Sequence, residues 1–255
     1  SISSNYRGIE RERIIKLPFY PYFDENIPFQ GLPFDYQNKQ FVFSGGDLYK
    51  TFDKDLTYYQ IVRQFLADNP EIFFVYAGNG DTTELDKLKS EYHEQVYHLP
   101  VRTDLYQIMK RSLFYLNTFP MAGGLMTQFA VIAGKVPLLL IQGNDSDGIL
   151  MNQNTLGIEF SSKEGIIAEM NQLAGDREYL SFKETSVQGS VITDIRFAEE
   201  LGRIIDHDQS SYDIEYKDIN VEEMRMQYLL RFNFSASLVD SVATLKNKSL
   251  FFQHP

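Results

Sequence analysis

Apolar positions along the chain change period several times, and each change predicts an element. Phe41-Val42-Phe43-Ser44 is a short apolar run that ends at Gly45-Gly46. From Leu56 to Asp68 the apolar residues Tyr58, Val62, Phe65 and Leu66 recur at helical spacing, and Pro70 marks the stop. Ile72-Phe73-Phe74-Val75-Tyr76-Ala77 is continuously apolar and closes at Gly78-Asn79-Gly80, the pattern of a strand buried on both faces. A helix is expected from a cap at Thr82 or Thr83 to about Tyr92, a strand over Val96 to Leu99, and a helix capped by Thr103 with Leu105, Ile108 and Met109 inward. Leu113 to Leu116 reads as a strand, 117–124 as a loop, and Leu125 to Ala133 as a helix with Gly134 at a left-handed C-cap. Val136 to Ile141 and Ile158 to Phe160 read as strands, with helices near 162–173 and 191–205.

Strand and helix alternating at this spacing predict right-handed βαβ units. The expected fold class is α/β, a Rossmann-like parallel sheet flanked by helices. Residues 1–40 carry Pro18, Pro21, Pro28 and Pro33 among aromatics and read as an extended segment of interdomain type, with one short strand from Arg13 to Leu17. Residues 41–205 make the Rossmann-like domain. Residues 206–255 read as a helical extension, a polar linker over 206–219 and helices over 220–231 and 235–246.

Composition narrows the function. At 255 residues the chain is long enough to bury about three quarters of its unfolded surface. The 24 Lys and Arg against 35 Asp and Glu give a net charge of −11, a field that disfavours nucleic acid and anionic lipid. The absence of cysteine removes disulfides, Cys-zinc sites and thiol catalysis, and fits a cytoplasmic protein, in solution or at the membrane periphery. The four histidines show no metal-ligand spacing, so a zinc site is not expected. No apolar run approaches the length of a transmembrane segment. The chain opens Ser1-Ile2-Ser3 without Met, as a piece of a longer protein would.

In an open parallel sheet, ligands bind beyond the carboxyl ends of the strands. The loop from Asn117 to Gly124 leaves a buried strand and enters a helix through Gly123 and Gly124. Such glycines allow phosphate to approach the backbone, and the helix start supplies N–H groups. Thr127 in the first turn adds a hydroxyl. The alternative is a tight turn that binds nothing. Ser44-Gly45-Gly46-Asp47 with Lys50 offers a second open loop and a cation, against a plain turn with a solvated lysine. Arg102, just before a helix, is either a bidentate phosphate clamp or the partner of a nearby carboxylate. Gly78-Asn79-Gly80 is a bare GxG.

Together these segments resemble, over roughly residues 10–205, the C-terminal, nucleotide-sugar-binding half of GT-B glycosyltransferases. Arg13-Ile14-Ile15-Lys16-Leu17-Pro18 looks like the interdomain strand, and Phe41 to Gly46 with Lys50 like the first strand and glycine loop. Phe74 to Gly78 looks like the second strand. Leu99 to Leu105 looks like the base-contacting loop, and Tyr115 to Gly124 followed by Ala130 to Pro137 like the diphosphate loop, its helix and the next strand. The resemblance implies a nucleoside-diphosphate sugar donor such as a UDP-sugar, destined for a glycan such as a surface polysaccharide, and no required metal. By position Gly123, Gly124 and Thr127 would meet the diphosphate and Lys50 would neutralise it, Gly45 and Gly46 would belong to the donor-binding loop, and Val101 and Arg102 would flank the base. An acidic residue often holds the ribose in that family. Phe129 stands at the aligned position, so Gln128 is its expected substitute. An N-terminal Rossmann-like domain or partner subunit would complete the enzyme. The alternatives are a non-catalytic GT-B-like subunit and a nucleotide-sugar epimerase on the same scaffold.

Overall fold

The computed structural model of the protein describes residues 24–141, 150 and 155–208. In chain order these hold β1 (Phe41–Gly45), α1 (Thr57–Asp68), β2 (Phe73–Ala77), α2 (Thr83–Tyr92), β3 (Val96–Leu99), α3 (Leu105–Arg111), β4 (Tyr115–Leu116), α4 (Gly124–Ile132), β5 (Pro137–Leu140), β6 (Glu159–Phe160), α5 (Lys163–Gly175), α6 (Arg177–Val187) and α7 (Asp194–His207). Single 3-10 turns occupy Leu48–Thr51 and His93–Gln95. The expected strand over Arg13 to Leu17, the helices over 220–231 and 235–246 and all but the first three residues of the 206–219 linker lie outside the described residues.

All six strands join one parallel sheet in the order β3-β2-β1-β4-β5-β6. This is the doubly wound order, and its direction reverses between β1 and β4. Side chains alternate across it. Val42, Phe74 and Tyr76 face the core beneath α1, α2 and α5, whereas Phe41, Phe43, Phe73, Val75 and Ala77 face α3 and α4. The class expected from the sequence is the one adopted.

Several ends differ from expectation for local reasons. α2 is capped by Asp81, which accepts the Thr83 N–H at 3.0 Å, and not by either threonine. Thr103 caps nothing; its hydroxyl accepts from Gln30 Nε2. α6 was not expected, because its only buried residues are Lys183 and Val187, too few to make a stripe. The signal for it was Asp176, whose carboxylate accepts the N–H groups of Glu178 and Tyr179. α7 continues through His207, two residues into the expected linker. The C-terminus of α4 is as expected. Gly134 has φ +75, its N–H reaches Val131 O, and the Lys135 N–H reaches Ala130 O, closing a Schellman turn.

The described part of the N-terminal segment packs onto the domain. Phe29, Leu32, Phe34 and Tyr36 cover the α3 and α4 core, with Phe34 edge-on to Phe73 at 4.9 Å. Its anchor is the buried Asp104 carboxylate, which accepts two bonds of 2.7 Å from Arg102 and one of 2.8 Å from the Gln30 N–H. Burial pushes the Asp104 carboxyl up, but the Arg102 and Gln30 donors outweigh it and hold it below its ordinary 3.8. A depressed carboxyl contributes stability above 3.8 that is lost as pH falls through its folded value. Asp104→Asn should therefore cost about 1.5 kcal/mol at neutral pH. The gap to the wild type should narrow as denaturation is repeated at pH values below 3.8. A gap of constant size across that range would show the charge contributes nothing.

Candidate functional site at the sheet reversal

The β1 and β4 loops flank the reversal, and both are held from beneath. Buried tyrosines pin three consecutive residues of the β1 loop. Tyr58 donates to Ser44 Oγ at 2.6 Å, Tyr115 to Gly45 O at 3.1 Å and Tyr76 to Gly46 O at 3.1 Å. Burial raises the pKa of all three phenols, so they remain donors across the neutral range. Glycine is needed here for closeness. A Cβ on Gly78 would lie 1.9 Å from Gly46 O, and one on Gly45 2.9 Å from Ala77 O. Gly78-Asn79-Gly80 thus serves the packing of the β1 loop against the β2 loop. Gly80 sits on Leu48, and the Leu48 N–H donates to Asn79 O.

The β4 loop closes on itself through Asn117, which is 2% exposed. Its Oδ1 accepts the Thr118 and Gly123 N–H groups at 2.8 Å each, and its Nδ2 donates to Thr127 Oγ1 at 2.6 Å. Thr127 in turn donates to Gly123 O at 3.0 Å. The Phe119–Pro120 peptide is cis.

A tally of backbone groups gives the character of the crevice. The carbonyls of Gly45, Gly46, Ala77, Gly78, Asn79, Leu99, Met121 and Gly123 all accept bonds from within the protein. Among the described residues, the amides of Gly124, Leu125 and Met126, which open α4, have no partner. Lys50 lies opposite, on the 3-10 turn. Its stem runs beside Gly46, and its carbonyl accepts the Met121 N–H at 3.3 Å, tying the two loops together. Among the described residues the Lys50 ammonium makes no ion pair and no hydrogen bond. The neighbouring Asp47 is exposed and makes none either. The open groups at the start of α4 are thus donors, and Lys50 adds a cation on the facing loop, an arrangement suited to an anion, with the Asp47 carboxylate as the opposing charge.

The expected site residues divide on this geometry. Gly45, Gly46, Lys50, Gly123 and Gly124 come together at the reversal. Thr127 is wholly buried and its proton is directed to Gly123 O, so as placed it braces the loop and offers no donor to a phosphate. Arg102 is the partner of Asp104 and also donates to Gly31 O, so the carboxylate alternative holds and the phosphate clamp does not. Burial of Asp104 without that guanidinium would strand a charge. Val101 is 65% exposed on the β3 loop, at the same sheet edge. Gln128 is buried in α4. Sequence reasoning missed Asn117 and the tyrosines as supports of the loops. The only signal was polar or phenolic groups inside runs otherwise fully apolar. Among the described residues no cluster of His, Asp or Glu is arranged to hold a metal, and no helix is long and apolar enough to cross a membrane.

No family model matches the sequence, and no curated protein matches it. Solved structures do match. WaaG, a glycosyltransferase involved in lipopolysaccharide biosynthesis, is 15% identical with a TM-score of 0.55, over 78% of this chain and 58% of that one. Anabaena HepE, solved with UDP and glucose, is 13% identical with a TM-score of 0.54, over 67% and 49%. The Thermobaculum terrenum O-GlcNAc transferase is 16% identical with a TM-score of 0.50, over 75% and 38%. The chain thus spans 38% to 58% of the length of these three. The shared fold is the Rossmann-like half of a GT-B glycosyltransferase.

Proposed function

We propose that this chain is the donor-binding half of a GT-B glycosyltransferase and holds a nucleoside-diphosphate sugar. The observation that carries the reading is the set of three open amides, Gly124 to Met126, that opens α4 beside the sheet reversal, where the β4 loop is tied to the backbone of the unpaired Lys50. A diphosphate seated there would meet the positive end of α4 and the Lys50 ammonium. Charge that develops on the leaving nucleoside diphosphate, as an acceptor hydroxyl attacks the anomeric carbon, is stabilised by the same groups. Such a site asks for no metal. Val101 on the β3 loop stands two to three strand spacings away, about 10–14 Å, which suits a base at one end and a diphosphate at the other. An N-terminal Rossmann-like domain or subunit would bring the acceptor. Structures of the same fold that include a glycosyltransferase and a protein solved with UDP and glucose support this assignment.

Thermal shift against nucleoside diphosphates tests it. UDP or GDP at 100 times its dissociation constant should stabilise by about 2.7 kcal/mol, a rise in Tm of roughly 5–10 °C for a domain of this size. No rise with any nucleoside diphosphate would remove the donor assignment. Binding without turnover, once the missing half is supplied, would assign the chain instead as a non-catalytic partner subunit.

A further inference from the structure

Both polar groups of Gly123 are held by bonds from Asn117 and Thr127. Its N–H donates to Asn117 Oδ1, and its carbonyl accepts from the Thr127 hydroxyl and N–H, each at 3.0 Å. The carbonyl of Gly123 and the N–H of Gly124 belong to one planar trans peptide and point in opposite directions. Holding the carbonyl inward, along α4, therefore aims the Gly124 N–H outward into the crevice. The bond from Asn117 Nδ2 to Thr127 Oγ1 completes the ring, and the Asn117 N–H ties it to Leu138 O on β5.

We propose that Asn117 is the positioning residue of the anion site, fixing through Thr127 and Gly123 the direction of the amides that open α4. The inference rests on the diphosphate reading above. Only a carboxamide at this position has the necessary groups. One oxygen accepts from two amides five residues apart in the loop ring, while the nitrogen donates to a hydroxyl. A carboxylate cannot donate to Thr127, and a serine hydroxyl is too short to span the partners. These bonds run between protein groups alone, and a direction fixed by the fold lowers the ordering cost of binding.

The test is a titration of the full chain with inorganic pyrophosphate, followed through the backbone amide resonances of Gly124, Leu125 and Met126. In the wild type these three resonances should move. In Asn117→Ala they should move only at pyrophosphate concentrations about tenfold higher or more, while the affinity for uridine, which lacks phosphate, stays unchanged. Asn117→Ser, which keeps polarity in the buried position, should behave likewise and serves if the alanine variant does not fold. A response in either folded variant at the wild-type concentration would overturn the positioning role. A fall in Tm with both affinities unaltered would do the same, since it leaves Asn117 a purely structural part. Wild-type resonances that ignore pyrophosphate would instead overturn the diphosphate reading itself, and the inference with it.

Discussion

Gly78→Ala should destabilise the domain more than any other single methyl addition considered. The added Cβ would sit 1.9 Å from Gly46 O and 2.8 Å from Gly46 C, and both are backbone atoms that no rotamer change can move. The backbone at Gly78 also has φ +155, which residues with a side chain rarely adopt. Strain and overpacking together give about 4 kcal/mol, or roughly 10 °C in Tm. The β1 and β2 loops would have to part. Because Tyr76 holds Gly46 O from the same side, the anion mouth should open with them and lose affinity for nucleoside diphosphate. Gly134→Ala is the control. It too has positive φ, +75, but nothing lies within 4 Å of its Cβ, so its cost should stay near 1 kcal/mol. Calorimetry that gave both variants the same Tm would show that φ alone matters and that the approach of the two loops does not.

This contrast also shows which parts of the molecule can be read from sequence. β1 and β2 are legible because they are buried on both faces and so appear as unbroken apolar runs between glycines. α4 is legible at its end because Gly134 stands where a left-handed residue is required. α6 is not, since a helix that buries only Lys183 and Val187 leaves no periodic trace. Gly78-Asn79-Gly80 has the look of a dinucleotide motif, yet its glycines answer to Gly46 and Leu48. One sequence cannot distinguish a glycine that admits a ligand from one that admits a neighbouring loop. Arg102 shows the same ambiguity among charges, because its buried carboxylate partner, Asp104, also accepts from Gln30, a contact that arises only in the folded chain. Hydrogen bonds from buried side chains to loop backbone follow from tertiary placement. Asn117 and the tyrosines were therefore visible as residues but not as supports. The loops at the carboxyl ends of the strands were legible nonetheless, because the alternation of strands and helices and the loop glycines show in the sequence.

Lys50→Ala should lower affinity for nucleoside diphosphate by about 30- to 100-fold while leaving affinity for the nucleoside nearly unchanged. The lysine makes no ion pair among the described residues, so its removal breaks no internal pair and strands no buried charge. Loss of a hydrogen bond to a charged partner removes roughly 2–3 kcal/mol. On a chain of net charge −11 the surrounding field does not replace it. Salt should discriminate further. The difference between diphosphate and nucleoside affinities in the wild type should shrink as ionic strength rises, and shrink less in the variant. Lys50→Arg should restore part of the affinity because it keeps the charge, though the planar guanidinium must fit beside Gly46, where the lysine stem now runs. Isothermal titration of the three proteins with UDP and with uridine supplies these values. Equal loss of both ligands in Lys50→Ala would place the lysine in the fold and not at the phosphates, leaving the α4 amides alone to carry the anion.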